Sequence, residues 1–120
     1  MTQKIFKPDP IYDNLNDSDL VNGLMTESPF IRSNFLIALS RRCYKKKILE
    51  VIKEAIMDTN NVRERVMGVI TVSMVGIIGI IENGDDQAKC LAIELINQLP
   101  EVQKEDLLRF FKQEGINLEQ

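Results

Sequence analysis

Histidine and tryptophan are absent from the 120 residues, and sulfur ligands of the thiol type are confined to Cys43 and Cys90. Without imidazole the common His-based catalytic and metal sites are excluded. Neither cysteine has a histidine to activate it, although Lys45 to Lys47 lie close enough in sequence to lower the pKa of Cys43. Both are read as small hydrophobes in a reducing compartment. A glycine-rich phosphate loop is also missing, because Gly76-Ile77-Ile78-Gly79 lacks the following Gly, Lys or strand context. The opening Met1-Thr2-Gln3-Lys4 runs into Pro8 and Pro10 without the apolar stretch of a secretory signal, which predicts a cytoplasmic protein.

What is present is ordinary in amount and uneven in placement. Hydrophobic residues make up 44% and charged residues 28%, within the range of soluble globular chains and enough for one core. The net charge of −3 gives no global attraction to nucleic acid. Residues 1–57 nevertheless hold nine Lys/Arg against seven Asp/Glu, and residues 58–120 hold six against eleven. One end therefore prefers anions.

Residues 1–16 carry Pro8, Pro10 and the Asp13-Asn14 turn signal between scattered apolar side chains, and read as a non-helical arm. The favoured role is a strap whose Ile5, Phe6, Ile11, Tyr12 and Leu15 cover the core; the other is a peptide that docks on a partner. From Asp17 to Gln120 the chain reads as a single helical domain. Asn16, Asp17 or Ser18 caps a helix whose Leu20, Val21, Leu24 and Met25 share a face. Ser28-Pro29 starts the next, with Ile31, Phe35, Leu36, Ala38 and Leu39. A third stripe, Ile48, Leu49, Ile52, Ala55 and Ile56, ends at Asp58-Thr59-Asn60-Asn61. A fourth helix is expected to begin there, with Val62, Val66, Met67, Val69 and Ile70.

A shift of 31 residues lays Ile31-Arg32 on Val62-Arg63, Phe35-Leu36 on Val66-Met67 and Leu39 on Ile70. A further shift of 26 brings Ala88-Lys89, Ala92-Ile93 and Leu95-Ile96 to the same positions. The pattern is an internal repeat of helix pairs, each second helix opening on an apolar-basic dipeptide. Between Val66 and Ile81 the chain has eleven apolar residues, three glycines and no charge in 16 positions. As one helix it would span roughly 24 Å, short of a bilayer's hydrocarbon core, and Arg63 and Arg65 block its extension. A buried strand is the second alternative. The preferred reading breaks the segment near Ser73 to Gly76 and closes a short helix at Asn83-Gly84, with Gly76 and Gly79 permitting close helix approach. Pro100 then opens a last helix, with Gly115 as its stop, that caps the array.

The turn Asp58-Thr59-Asn60-Asn61-Val62-Arg63, together with Ser28-Pro29-Phe30-Ile31-Arg32 and Asp85-Asp86-Gln87-Ala88-Lys89, resembles the intra-repeat turn of HEAT-like (armadillo-type) helical repeats. Ser28 replaces the turn Asp in the first unit and Lys89 replaces the Arg in the third. The resemblance implies an all-α fold, a short α-solenoid of antiparallel helix pairs with about six or seven helices. It also implies a non-enzymatic protein-interaction or scaffold module that uses the surface of its second helices, with no cofactor and no membrane partner. The side chains expected to meet a protein partner are Arg32, Arg41, Arg42, Lys45, Lys46 and Lys47, with Arg63 and Lys89 supporting turns or joining the same ridge. Self-association is a separate expectation, because a short stack leaves apolar end faces.

Five of the seven residues Arg41-Arg42-Cys43-Tyr44-Lys45-Lys46-Lys47 are cationic. One account is structural, since cations suit a helix C-terminus; the other is an anion site for phosphate backbones, the less favoured partner class. The pairs Asp85-Asp86 and Glu105-Asp106 are sequence neighbours whose side chains diverge, and nothing marks them as an acid/base pair.

Overall fold

The computed structural model describes residues 4–118; the ends of the arm and of the expected helical domain, residues 1–3 and 119–120, lie outside the described residues. Eight helices and one small hairpin follow in order. They are α1 (Pro10–Asp13), α2 (Asp17–Gly23), α3 (Pro29–Ser40), α4 (Lys46–Met57) and α5 (Thr59–Arg63), then β1 (Arg65–Met67) and β2 (Ile70–Thr71). The chain closes with α6 (Val72–Asn83), α7 (Asp86–Gln98) and α8 (Glu101–Gln113). The fold is helical, and the pleated part among the described residues is confined to strands of three and two residues.

Side-chain caps set most of the helix starts, because each satisfies backbone N–H groups that the first turn leaves unpaired. Asn16 accepts from the Asp19 N–H at 2.8 Å, and Ser28 from the Ile31 N–H at 3.3 Å with Pro29 at the first helical position. Asp58 accepts from the Asn60 and Asn61 N–H groups, Thr71 from Met74, and Asp85 from Ala88 at 2.9 Å. At the far end Gly115, with φ +73°, supplies the left-handed residue that stops α8.

Four expectations are corrected. Among the described residues eight helices stand where six or seven were expected, because the arm contains the single turn α1, capped by Asp9, and because α5 is separate. The expected fourth helix through Ile70 is replaced by α5 and the hairpin. Val62, Val66, Val69 and Ile70 have helical spacing, but Gly68 takes φ +55°, which turns the chain back and pairs Met67 with Ile70. Met67 and Val69 are consequently exposed rather than buried in a helix face. The expected break at Ser73 to Gly76 is also absent: α6 is continuous there, because the Ser73 hydroxyl donates to the Ile56 carbonyl at 2.6 Å instead of competing with its own helix. Met25, placed by its spacing on the buried face of α2, lies beyond the end of that helix and is 86% exposed.

All ten residues from Val72 to Ile81 are buried, so α6 is the central element of the core. It packs on α3, α4 and α5 and on α7, while α2 lies on α3 and α8 on α7. A helix that is apolar all round fits only such a position. Its glycines allow the close approach expected of them. A Cβ on Gly76 would lie 2.7 Å from Ile56 Cγ1, and one on Gly79 would lie 2.6 Å from Ser40 Cβ.

Candidate functional site

Four of the eight basic side chains singled out in the sequence, Arg32, Arg41, Arg42 and Lys45, are engaged by other residues of the protein. Arg32, on α3, is buried: its Nε donates to Asn61 Oδ1 at 3.0 Å, its Nη1 to the Thr26 and Glu27 carbonyls at 2.8 Å, and its Nη2 to the Glu64 carboxylate. It ties the α2–α3 connection to α5. Arg41 donates to Asp13 Oδ1 at 2.9 Å and to the Phe6 carbonyl at 3.2 Å. Arg42 donates to Asp17 Oδ1 at 2.6 Å and to the carbonyls of Asp13 and Leu15. Lys45 completes the set on Asp17 Oδ2 at 2.7 Å. Hydrogen bonds from Lys45 and then Arg42 hold the Asp17 carboxyl below the ordinary aspartate range.

The cluster therefore fastens the arm, α1 and the start of α2 to the far end of α3. The signal for this was an acidic series, Asp9, Asp13 and Asp17, at intervals of four upstream of Arg41 and Arg42. Lys46 and Lys47 are exposed, and the three lysines border a cleft of about 460 Å³ between α2 and α4. Arg63 is exposed at the end of α5, Arg32 borders a different cleft with Asp58 and Glu64, and Lys89 borders a third beside the arm. Five of the eight cations thus border three separate clefts.

Burial pushes the Cys43 thiol up, away from the thiolate form, whereas Cys90 is exposed. Among the described residues no group of three or more His, Cys, Asp or Glu side chains is arranged to hold a metal ion. No helix there is long and apolar enough to cross a membrane.

A different feature has open apolar surface. Along α3, Phe30, Ser33, Asn34 and Ile37 recur at i, i+3, i+4 and i+7, turned away from the buried Leu36 and Leu39. They form one side of a groove of about 200 Å³. Its floor is Val75 and Ile78 of α6 with Ile70 of β2, and Phe110 and Glu114 of α8 line it as well. Val66 and Met67 of β1 line it from the hairpin, and Ile5 and Phe6 of the arm from the chain's beginning. Phe30 is 64% exposed and Met67 67%, so two large apolar side chains meet water at this groove.

The arm is itself held by backbone contacts. Glu82, at the end of α6, accepts the Ile5 N–H on Oε2 at 2.6 Å and the Phe6 N–H on Oε1 at 3.3 Å. Lys4 Nζ reaches Asn83 Oδ1 at 2.8 Å. Tyr12 packs edge-on to Phe35, with ring centres 5.1 Å apart, and Ile5, Phe6, Tyr12 and Leu15 pack against the core, whereas Ile11, expected to cover it with them, is exposed. Sequence reasoning missed Glu82, Phe30 and the groove itself, because the groove is assembled from segments over a hundred residues apart.

Comparison with known proteins finds no matching family model, no matching curated protein and no matching solved structure.

Proposed function

We propose that this chain is a non-enzymatic protein-interaction module, built as a short HEAT-like stack of helix pairs, whose partner docks in the groove between α3, α6 and α8. The single observation that carries the reading is the pair of large apolar side chains, Phe30 and Met67, left in water beside an apolar groove. Apolar surface of this kind marks protein contacts more often than catalysis. Of the helices at the groove, α3 opens on Ile31-Arg32 and is a second helix in the repeat resemblance, the kind of helix whose surface that resemblance implies for binding. Arg32 supports the same reading by reaching from the start of one second helix to Asn61 and Glu64 of the next unit's turn. The groove's volume of about 200 Å³ is below the usual range for small-molecule pockets and suits inserted side chains.

The test is co-purification from native lysate with tagged wild type, with Phe30→Glu/Met67→Glu, and with Lys46→Glu/Lys47→Glu. All four positions are exposed, so the fold should tolerate the changes. The groove pair should lose the partner and the lysine pair should retain it. Equal recovery with the groove pair would refute the reading.

A further inference from the structure

We infer that the N-terminal arm is a resident ligand of the groove, and that the partner's binding segment is an extended stretch with a basic residue followed by two apolar ones, seated on Glu82 and Arg41 in the arm's place. The inference rests on the interaction-module reading and specifies the partner's chemistry.

The arm is recognised as a peptide. Lys4 to Asp9 have no regular secondary structure. Two successive N–H groups, those of Ile5 and Phe6, go to the two oxygens of one carboxylate, and the Phe6 carbonyl goes to a guanidinium. Main-chain contacts of this kind do not depend on which side chains the segment carries, so another extended chain can make them. Both receptor groups are far from the arm in sequence. Arg41 is also held by Asp13 at 2.9 Å, so it stays in position when the Phe6 carbonyl leaves.

The selectivity comes from charge and from apolar burial. Position 4 faces the C-terminal end of α6, where Lys4 meets Asn83 Oδ1 and the Glu82 carbonyl, and Glu114 shares the adjoining cleft. A helix C-terminus beside two carboxylates favours a cation there. Ile5 and Phe6 are half-buried and together form one end of the groove, which continues past them to Phe30 and Met67. A competing segment can take the arm's place and then extend over that open surface, burying apolar area that the arm leaves in water. The arm is short and its outer residues Lys7, Pro8 and Pro10 are exposed, so its release opens little of the core. The ion pairs of Asp13 with Arg41 and of Asp17 with Arg42 keep α1 and α2 in place meanwhile.

The experiment uses the isotope-labelled 120-residue chain and a capped synthetic peptide with the sequence of residues 4–8. In an NMR titration the peptide should move the Ile5 and Phe6 amide signals to unstructured positions while the signals of α3 to α8 stay dispersed. Weakening the arm with Lys4→Glu/Phe6→Ser should raise peptide affinity about tenfold by removing the internal competitor. Glu82→Gln should abolish peptide binding, and a peptide with serine in place of its two apolar residues should not bind. Should the double variant lose its helical circular dichroism, the exposed change Lys4→Glu alone gives the same comparison. No binding to a folded arm-weakened variant, or undiminished binding to Glu82→Gln, overturns the inference. If the peptide fails while Phe30→Glu/Met67→Glu still loses the partner, only the assignment of the arm falls; if that pair has no effect on the partner, the interaction reading falls with it.

Discussion

Replacing Gly79 by alanine tests the packing of α3 on α6 directly. In an exposed helix the change would stabilise by about 1 kcal/mol through propensity. Here the added Cβ would stand 2.6 Å from Ser40 Cβ and press on its hydroxyl. Carbon atoms rest about 3.5–4.0 Å apart, so the two helices must separate by about 1 Å or Ser40 must be driven aside. Overpacking of this order costs about 1–3 kcal/mol. The contact between the Asn83 amide and Ser40 Oγ at 3.3 Å is lost as well, for about 1 kcal/mol. The balance is a net destabilisation of about 1–3 kcal/mol, or about 4–12 °C in Tm for a chain of this length. Thermal and urea unfolding of the wild type, Gly79→Ala, Ser40→Gly and the double variant give a complete cycle. The double variant removes the Ser40 Cβ that the added Cβ would strike, and the two changes should couple favourably by about 1–2 kcal/mol. A Tm raised by Gly79→Ala alone, or strictly additive effects, would refute the close contact.

Three further outcomes are expected. Arg32→Met keeps apolar volume but leaves the Thr26 and Glu27 carbonyls and Asn61 without their donor, and should lower stability by about 2–4 kcal/mol in urea titrations; a loss under about 1 kcal/mol would remove Arg32 from its structural role. Asp17 titrates below its ordinary value of 3.8 when folded, so its stabilisation is complete above that pH and disappears as pH falls through the lower, folded value. The Tm gap between wild type and Asp17→Asn should accordingly be widest near neutrality and close in acid, and a gap that widens in acid would reverse the sign. Finally, a chromogenic disulfide reagent should titrate one thiol, Cys90, in the native chain and both after denaturation; a native count of two would place Cys43 in solvent.

Local chemistry made much of the fold legible. Ser28-Pro29, Asn16, Asp85 and Gly115 act at helix ends as their residue types dictate. Beyond Arg63, through Ile70, the apolar spacing suits a helix, while the deciding residue is a single glycine with positive φ. Spacing also could not separate α6 from a broken helix, since a helix buried on every side has no polar face to give its period. For the site, the cations were visible but their partners were not. Whether Arg41 and Arg42 face water or Asp13 and Asp17 depends on where the arm folds back. The groove needed the tertiary arrangement, because Phe30, Ile37, Val75 and Phe110 look like any other helical core residues in the linear chain.

The placement of α6 has a consequence for synthesis. The helix on which α3, α4, α5 and α7 all pack is made after α3 and α4 but before α7, so a nascent chain ending near Gly84 carries a sticky rod with one flank uncovered. Such a half-wrapped product is prone to clump or to recruit a chaperone until α7 and α8 emerge. Premature stops in that window should therefore yield insoluble material.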